Sequence, residues 1–222
     1  MDKDKRKGKR KLKNSQGEDV KIRKEQDVWS ERHNPSQEAA VDQILTGTRD
    51  MNDEYGIMDN VDTVSIADMD KINVIAFYDN EANKMVVNRA FTDIDGIEAA
   101  YADCVEKGYH PALGDKSALS AVTAHELGHA LADKINEARM AKGGGAEANE
   151  QIVRDAFNSM GRKDKSQRAL DKARAGISGY ATENYHETVA ESVADVYCNG
   201  KKANKFSQAV VKRLKEVMQA EL

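Results

Sequence analysis

Two cysteines, Cys104 and Cys198, are all that this chain of 222 residues contains, and neither stands in a Cys-x-x-Cys pair. That argues against a structural zinc centre closed by thiolates, and two free thiols in a reducing compartment are the expectation. No run of about 18 apolar residues occurs, so no membrane-spanning helix is expected. The N-terminus carries charge where a secretory signal needs an apolar segment, which points to the cytoplasm. There is no internal repeat. Aromatic residues are only 5% of the chain and none interrupts the basic run at its start. With nothing to stack on bases, sequence-specific reading of nucleic acid is not expected.

Charge is present but unevenly spread. Residues 1–24 hold eleven Lys or Arg against Asp2, Asp4, Glu18 and Asp19, a balance of +7, so the rest of the chain carries −11 of the overall −4. Residues 3–13 have almost no apolar side chain except Leu12. Such a run buries too little surface to offset its ordering entropy. Residues 1–33 are therefore expected to be a basic, disordered extension. The bland reading of this run is a solvated tail or docking arm; the sharper one is non-specific contact with a polyanion such as nucleic acid through residues 3–24, driven by counterion release. Residues 34–222, in a chain that is 40% hydrophobic, can bury the core of one domain.

Trp29, read as a packing anchor, and Pro35 mark entry into that domain, and Ser36 is a suitable N-cap for a helix beginning over 36–45. Alternation over 61–66, and over 72–78 and 84–91 around a polar turn at 79–83, predicts a small antiparallel sheet. Helical periodicity then predicts helices over 93–107, 116–139, 147–160, 182–198 and 203–221. Gly143, Gly144 and Gly145 break the second from the third, and 162–166 makes another polar connection. The expected class is α+β, mainly helical, with the small sheet first.

The chemistry concentrates in His125-Glu126-Leu127-Gly128-His129. On a helix, His125 and His129 project from one face one turn apart and can reach a single ion. Leu127, Leu131, Ile135 and Ala138 form the opposite, core-facing stripe. Gly128 costs about 1 kcal/mol relative to alanine inside a helix, so close approach by another element is expected there. Two histidines leave a zinc site short of a protein ligand. The best source is the segment 180–195, where Glu183, Glu187, Glu191 and Asp195 recur every four residues. Like charges at that spacing repel each other unless a cation faces them. Spacing alone leaves Glu183, His186, Glu187 and Glu191 open as the third ligand.

His-Glu-x-x-His followed by Tyr180, Asn184, Glu187 and Ala190-Glu191 resembles the gluzincin zinc peptidases of the anthrax lethal factor catalytic-domain type. Proline-specific endopeptidases of clostridia and peptidase domains of phage head proteins carry similar patterns. The resemblance covers about residues 118–197. It implies a zincin-like domain that hydrolyses peptide bonds with Zn²⁺ held by His125, His129 and Glu187. Glu126 would be the general base, Tyr180 the phenol that stabilises the oxyanion, and Glu191 a carboxylate orienting a ligand imidazole. The resemblance also admits a virion-associated setting. His129 and Glu187 are 58 residues apart, a longer interval than in thermolysin-like enzymes, and the stretch from Gly143 to Gly176 accounts for the excess.

A protein or peptide substrate is the implied partner, and an edge of the 72–91 hairpin could hold it as an added strand. The competing class is a non-catalytic virion or nucleic-acid-associated protein on the same scaffold. Glu126 speaks against that, because a purely structural site needs ligands but no base. His33 and His110, the latter in a turn before Pro111, are expected at the surface.

Overall fold

The computed structural model describes residues 11–13, 19–28, 35–56, 64–70, 74–79, 82, 84–144 and 148–222. Trp29, His33 and residues 1–10 and 14–18 of the basic run lie outside the described residues, as does most of the expected turn at 79–83. The chain is α+β and mostly helical, and it divides into two compact units, Met1–Ile97 and Glu98–Leu222.

The first unit holds all the strands found among the described residues. β1 (Lys11–Lys13), β2 (Asp19–Val28), β3 (Val64–Met69), β4 (Ala76–Asp79) and β5 (Lys84–Asn88) line up in the order β1-β2-β3-β5-β4. β4 and β5 form the expected antiparallel hairpin, but β3 runs parallel to β5. The sheet is therefore mixed, which corrects the antiparallel expectation. Alternation predicts that a strand exists and does not set the direction of its partner.

β2 falls within the expected basic extension, residues 1–33. β2 pairs antiparallel with β3 over most of its length. Its local logic was hidden by charge: Val20 and Ile22 are buried, whereas Lys21 and Arg23 between and after them are exposed. That is a period-2 pattern with one dry face. Val20 and Ile22 join Ala67, Met69, Val74, Phe77 and Val86 in a core cluster. α1 (Pro35–Tyr55) packs on β3, and its Val41, Ile44, Leu45 and Met51 are buried.

The second unit is helical. It contains most of α2 (Ile94–Glu106), then α3 (Ala118–Ala141), α4 (Ala148–Ser159), α5 (Gln167–Ala175), α6 (Tyr185–Asn199) and α7 (Lys205–Glu221). α3 and α6 are its central pair, and α7 packs on α4 and α6. α5 was not expected. It is short, but Ser166 caps it by accepting from Ala169 N, and Leu170 and Ala173 give it a buried edge. The 143–176 excursion turns back onto the central pair: Ala148 N donates to Asn136 Oδ1 of α3, and buried Arg174 donates to Thr188 Oγ1 of α6 at 2.9 Å. No helix among the described residues is long and apolar enough to cross a membrane.

Candidate metal centre

α3 starts where its sequence directs. Ser117 accepts from Ser120 N at 3.2 Å, and Glu98 accepts from Ala118 N at 2.8 Å, so two of the orphan donors of the first turn are satisfied. Leu127, Leu131 and Ile135 are fully buried. The helix is thereby fixed in rotation with His125 and His129 on another face, their Nε2 atoms 3.0 Å apart.

α6 supplies the third donor. Asn184 caps it by accepting from Glu187 N at 2.8 Å, and Val189 and Val193 are buried in the core. Glu187 Oε2 then stands 3.2 Å from His125 Nε2 and 3.2 Å from His129 Nε2. The three form the one His/Cys/Asp/Glu group among the described residues with metal-ligand spacing. A four-coordinate first-row ion with bonds of about 2.0–2.1 Å holds neighbouring ligand atoms about 3.3 Å apart. The observed triangle fits it. The chemistry fits too: Glu187 is 0% exposed and neither of its carboxylate oxygens has a hydrogen-bond partner. A buried carboxylate in that condition is costly unless a cation faces it.

The close approach expected at Gly128 is present. A Cβ there would lie 2.9 Å from Ala190 Cα and 3.2 Å from Val193 Cβ. The missing side chain is what lets α6 bring Glu187 up to the two histidines.

The acidic stripe divides into different roles. Glu183 is exposed and outside the cluster. Glu191 is 1% exposed and faces three donors: Ser178 Oγ donates to its Oε2 at 2.6 Å, His110 Nδ1 lies 3.2 Å from Oε1, and His125 Nδ1 approaches Oε1 to 2.8 Å without good hydrogen-bond alignment. Asp195 is structural. Its two oxygens accept from Asn199 Nδ2 and Asn204 N, which ties the end of α6 to the turn into α7.

Electrostatics follow from this packing. Burial opposes charge on Glu191, but the His110 and His125 imidazoles beside it outweigh it and hold the carboxyl down to about 2. Burial also opposes charge on Glu187, and its two imidazole neighbours pull it well below the usual carboxylate range. His125 is raised because Glu187 and Glu191 outweigh its burial, whereas burial and the nearby His125 and His186 lower His129 to about 4. Glu126, half-buried beside the cluster, is pushed up to about 7 by burial and by the charge of Glu187, against the pull of His125 and His186.

Tyr180 sits in a 3-10 turn, Tyr180–Thr182, just before α6. Its half-exposed ring stacks on His125 with centroids 5.6 Å apart and planes at 17°. Its backbone is held by the loop before α3: Gly179 N donates to Gly108 O at 2.7 Å and Tyr180 N to Tyr109 O at 3.1 Å. His186 lies outside the metal-spacing group. Its ring is 4.1 Å from that of His129 and its Nε2 is 3.3 Å from Asp133 Oδ1.

His110, expected at the surface, is instead half-buried against Tyr101, Tyr180 and Glu191. Glu191 is 81 residues away in sequence, so no local pattern could mark the pairing. Ser178 was missed for the same reason. Both cysteines are free, and burial pushes the Cys198 thiol up to about 12, which leaves it unreactive.

Comparison with protein-family models, with curated proteins and with solved structures gave no significant match.

Proposed function

We propose that this chain is a zinc-dependent peptidase of the gluzincin type on a zincin-like domain, with the ion held by His125 Nε2, His129 Nε2 and Glu187 Oε2. The observation that supports this best is the meeting of three buried donor atoms at 3.0–3.2 Å from helices far apart in sequence. Two imidazoles and one carboxylate are a donor set of catalytic zinc, which keeps a further position for water or substrate. Bound there, zinc supplies Lewis acidity, polarising a carbonyl and bringing the pKa of water toward neutrality.

The chain's own residues do the rest. Glu126 takes a proton from the attacking water as the water oxygen bonds to the peptide carbonyl carbon. It then delivers that proton to the nitrogen as the C–N bond breaks, so the products are a carboxylic acid and an amine, with no covalent enzyme intermediate. A cation neutralising Glu187 removes one cause of the raised Glu126 pKa and favours the ionised form that a base needs. Tyr180, stacked on His125, donates its phenol proton in a hydrogen bond to the carbonyl oxygen as negative charge develops. Glu191 keeps Nδ1 of His125 turned inward so that Nε2 faces the cluster.

The test is cleavage of a mixed peptide library by the purified chain. The expected result is hydrolysis that stops on chelation and returns with added Zn²⁺. Full hydrolysis after the metal has been stripped, or none by protein that carries one zinc, would overturn the reading.

A further inference from the structure

The residues that hold His125 are themselves held, and the holder is a residue that the proposed reaction does not use. We propose that His110 is a positioning residue, which fixes the Glu191 carboxylate and through it the His125 imidazole. The inference rests on the reading of His125 as a metal ligand.

Four contacts fix the His110 ring, one of them the ring of Tyr109 at 5.0 Å and 69°. Its Nδ1 lies 3.2 and 3.4 Å from the two oxygens of Glu191. One face stacks on Tyr101, a buried residue, with centroids 5.2 Å apart and planes at 16°. Its plane meets the Tyr180 ring edge to face at 5.5 Å and 86°. The backbone just before it is anchored as well, through the hydrogen bonds from Gly179 and Tyr180 to Gly108 and Tyr109. Pro111 follows, which limits the conformations open to His110.

Glu191 needs such a partner. A fully buried carboxylate with one oxygen on His125 and one on Ser178 can still rotate between alternative pairings. A donor spanning both oxygens removes that freedom. The arrangement extends the usual carboxylate–histidine–metal chain by one link, His110 to Glu191 to His125. The same loop also sets the backbone of Tyr180, so one segment outside α3 and α6 aligns both a metal-ligand imidazole and the proposed oxyanion donor.

The test uses Zn²⁺ affinity, measured by chelator competition on the full chain, so it needs no substrate. His110→Ala removes both donor and ring and should weaken zinc binding by about 10-fold, the lower end for residues behind a ligand. His110→Phe keeps the ring without the donor and should lose as much. His110→Asn places an amide N–H where Nδ1 stood and should recover most of the affinity. Thermal melts of the metal-free proteins separate positioning from simple destabilisation, since Ala and Asn should melt alike yet differ in zinc affinity. Wild-type affinity in folded His110→Phe would overturn the proposal, as would an Asn variant no better than Ala. A wild-type chain that binds no zinc would overturn both this inference and the metal reading. Intact zinc binding without peptide cleavage would overturn only the peptidase assignment.

Discussion

Gly128 of α3 faces Ala190 of α6 so closely that a Cβ built on the glycine would stand 2.9 Å from Ala190 Cα. Intrinsic helix propensity alone would make Gly128→Ala stabilising by about 1 kcal/mol. The contact reverses that sign, because the added methyl meets backbone and overpacking costs about 1–3 kcal/mol. Gly128→Ala should therefore lower the urea midpoint of the metal-free chain and weaken zinc binding, since α3 carries the histidines and α6 carries Glu187. A midpoint above wild type would mean that the helices are not locked at this distance.

Removing a carboxylate from α6 should have effects that depend on which turn it occupies. Glu187→Ala should abolish stoichiometric zinc, whereas Glu183→Ala and His186→Ala should retain it, as measured by metal analysis of purified proteins. Zinc unchanged in Glu187→Ala would assign the third ligand elsewhere.

Asp195 lies on the same stripe but tethers Asn199 Nδ2 and the backbone of Asn204. Asp195→Ala leaves these donors without their acceptor and should cost about 1–3 kcal/mol of stability while leaving zinc affinity intact. A loss of zinc with no change in melting would contradict the division of roles.

As the proposed oxyanion donor, Tyr180 would act only as charge develops, so Tyr180→Phe should reduce kcat by roughly 10²–10³-fold with KM and zinc content near wild type. Steady-state kinetics on any cleaved peptide measures this. A rise in KM with kcat unchanged would make Tyr180 a substrate contact instead.

Apart from the short α5, the helices of the second unit were legible because each carries its own periodicity. Ser117 and Asn184 mark the starts of α3 and α6, and the expected spans fall within a few residues of those observed. The two-histidine face was legible for the same reason, as a property of one helix. What could not be read were relationships between distant segments. β2 was masked because lysine and arginine on its outer face resemble a solvated tail, although Val20 and Ile22 alternate with them. The parallel pairing of β3 and β5 is set by how the chain returns, not by the residues of either strand. Glu183, His186, Glu187 and Glu191 were inseparable by spacing, and only the rotation of α6 against α3 brings Glu187 alone onto both Nε2 atoms. His110 was misplaced because its partner stands on a different element.

The central claim is that Glu126 is the base of a zinc-dependent hydrolysis. The most direct measurement is Glu126→Gln, assayed for bound zinc and for peptide cleavage in the same preparation. The amide keeps the size of the side chain and cannot take a proton. The account predicts one zinc per chain, as in wild type, and cleavage lost by several orders of magnitude. Zinc retained with cleavage near the wild-type rate would contradict it.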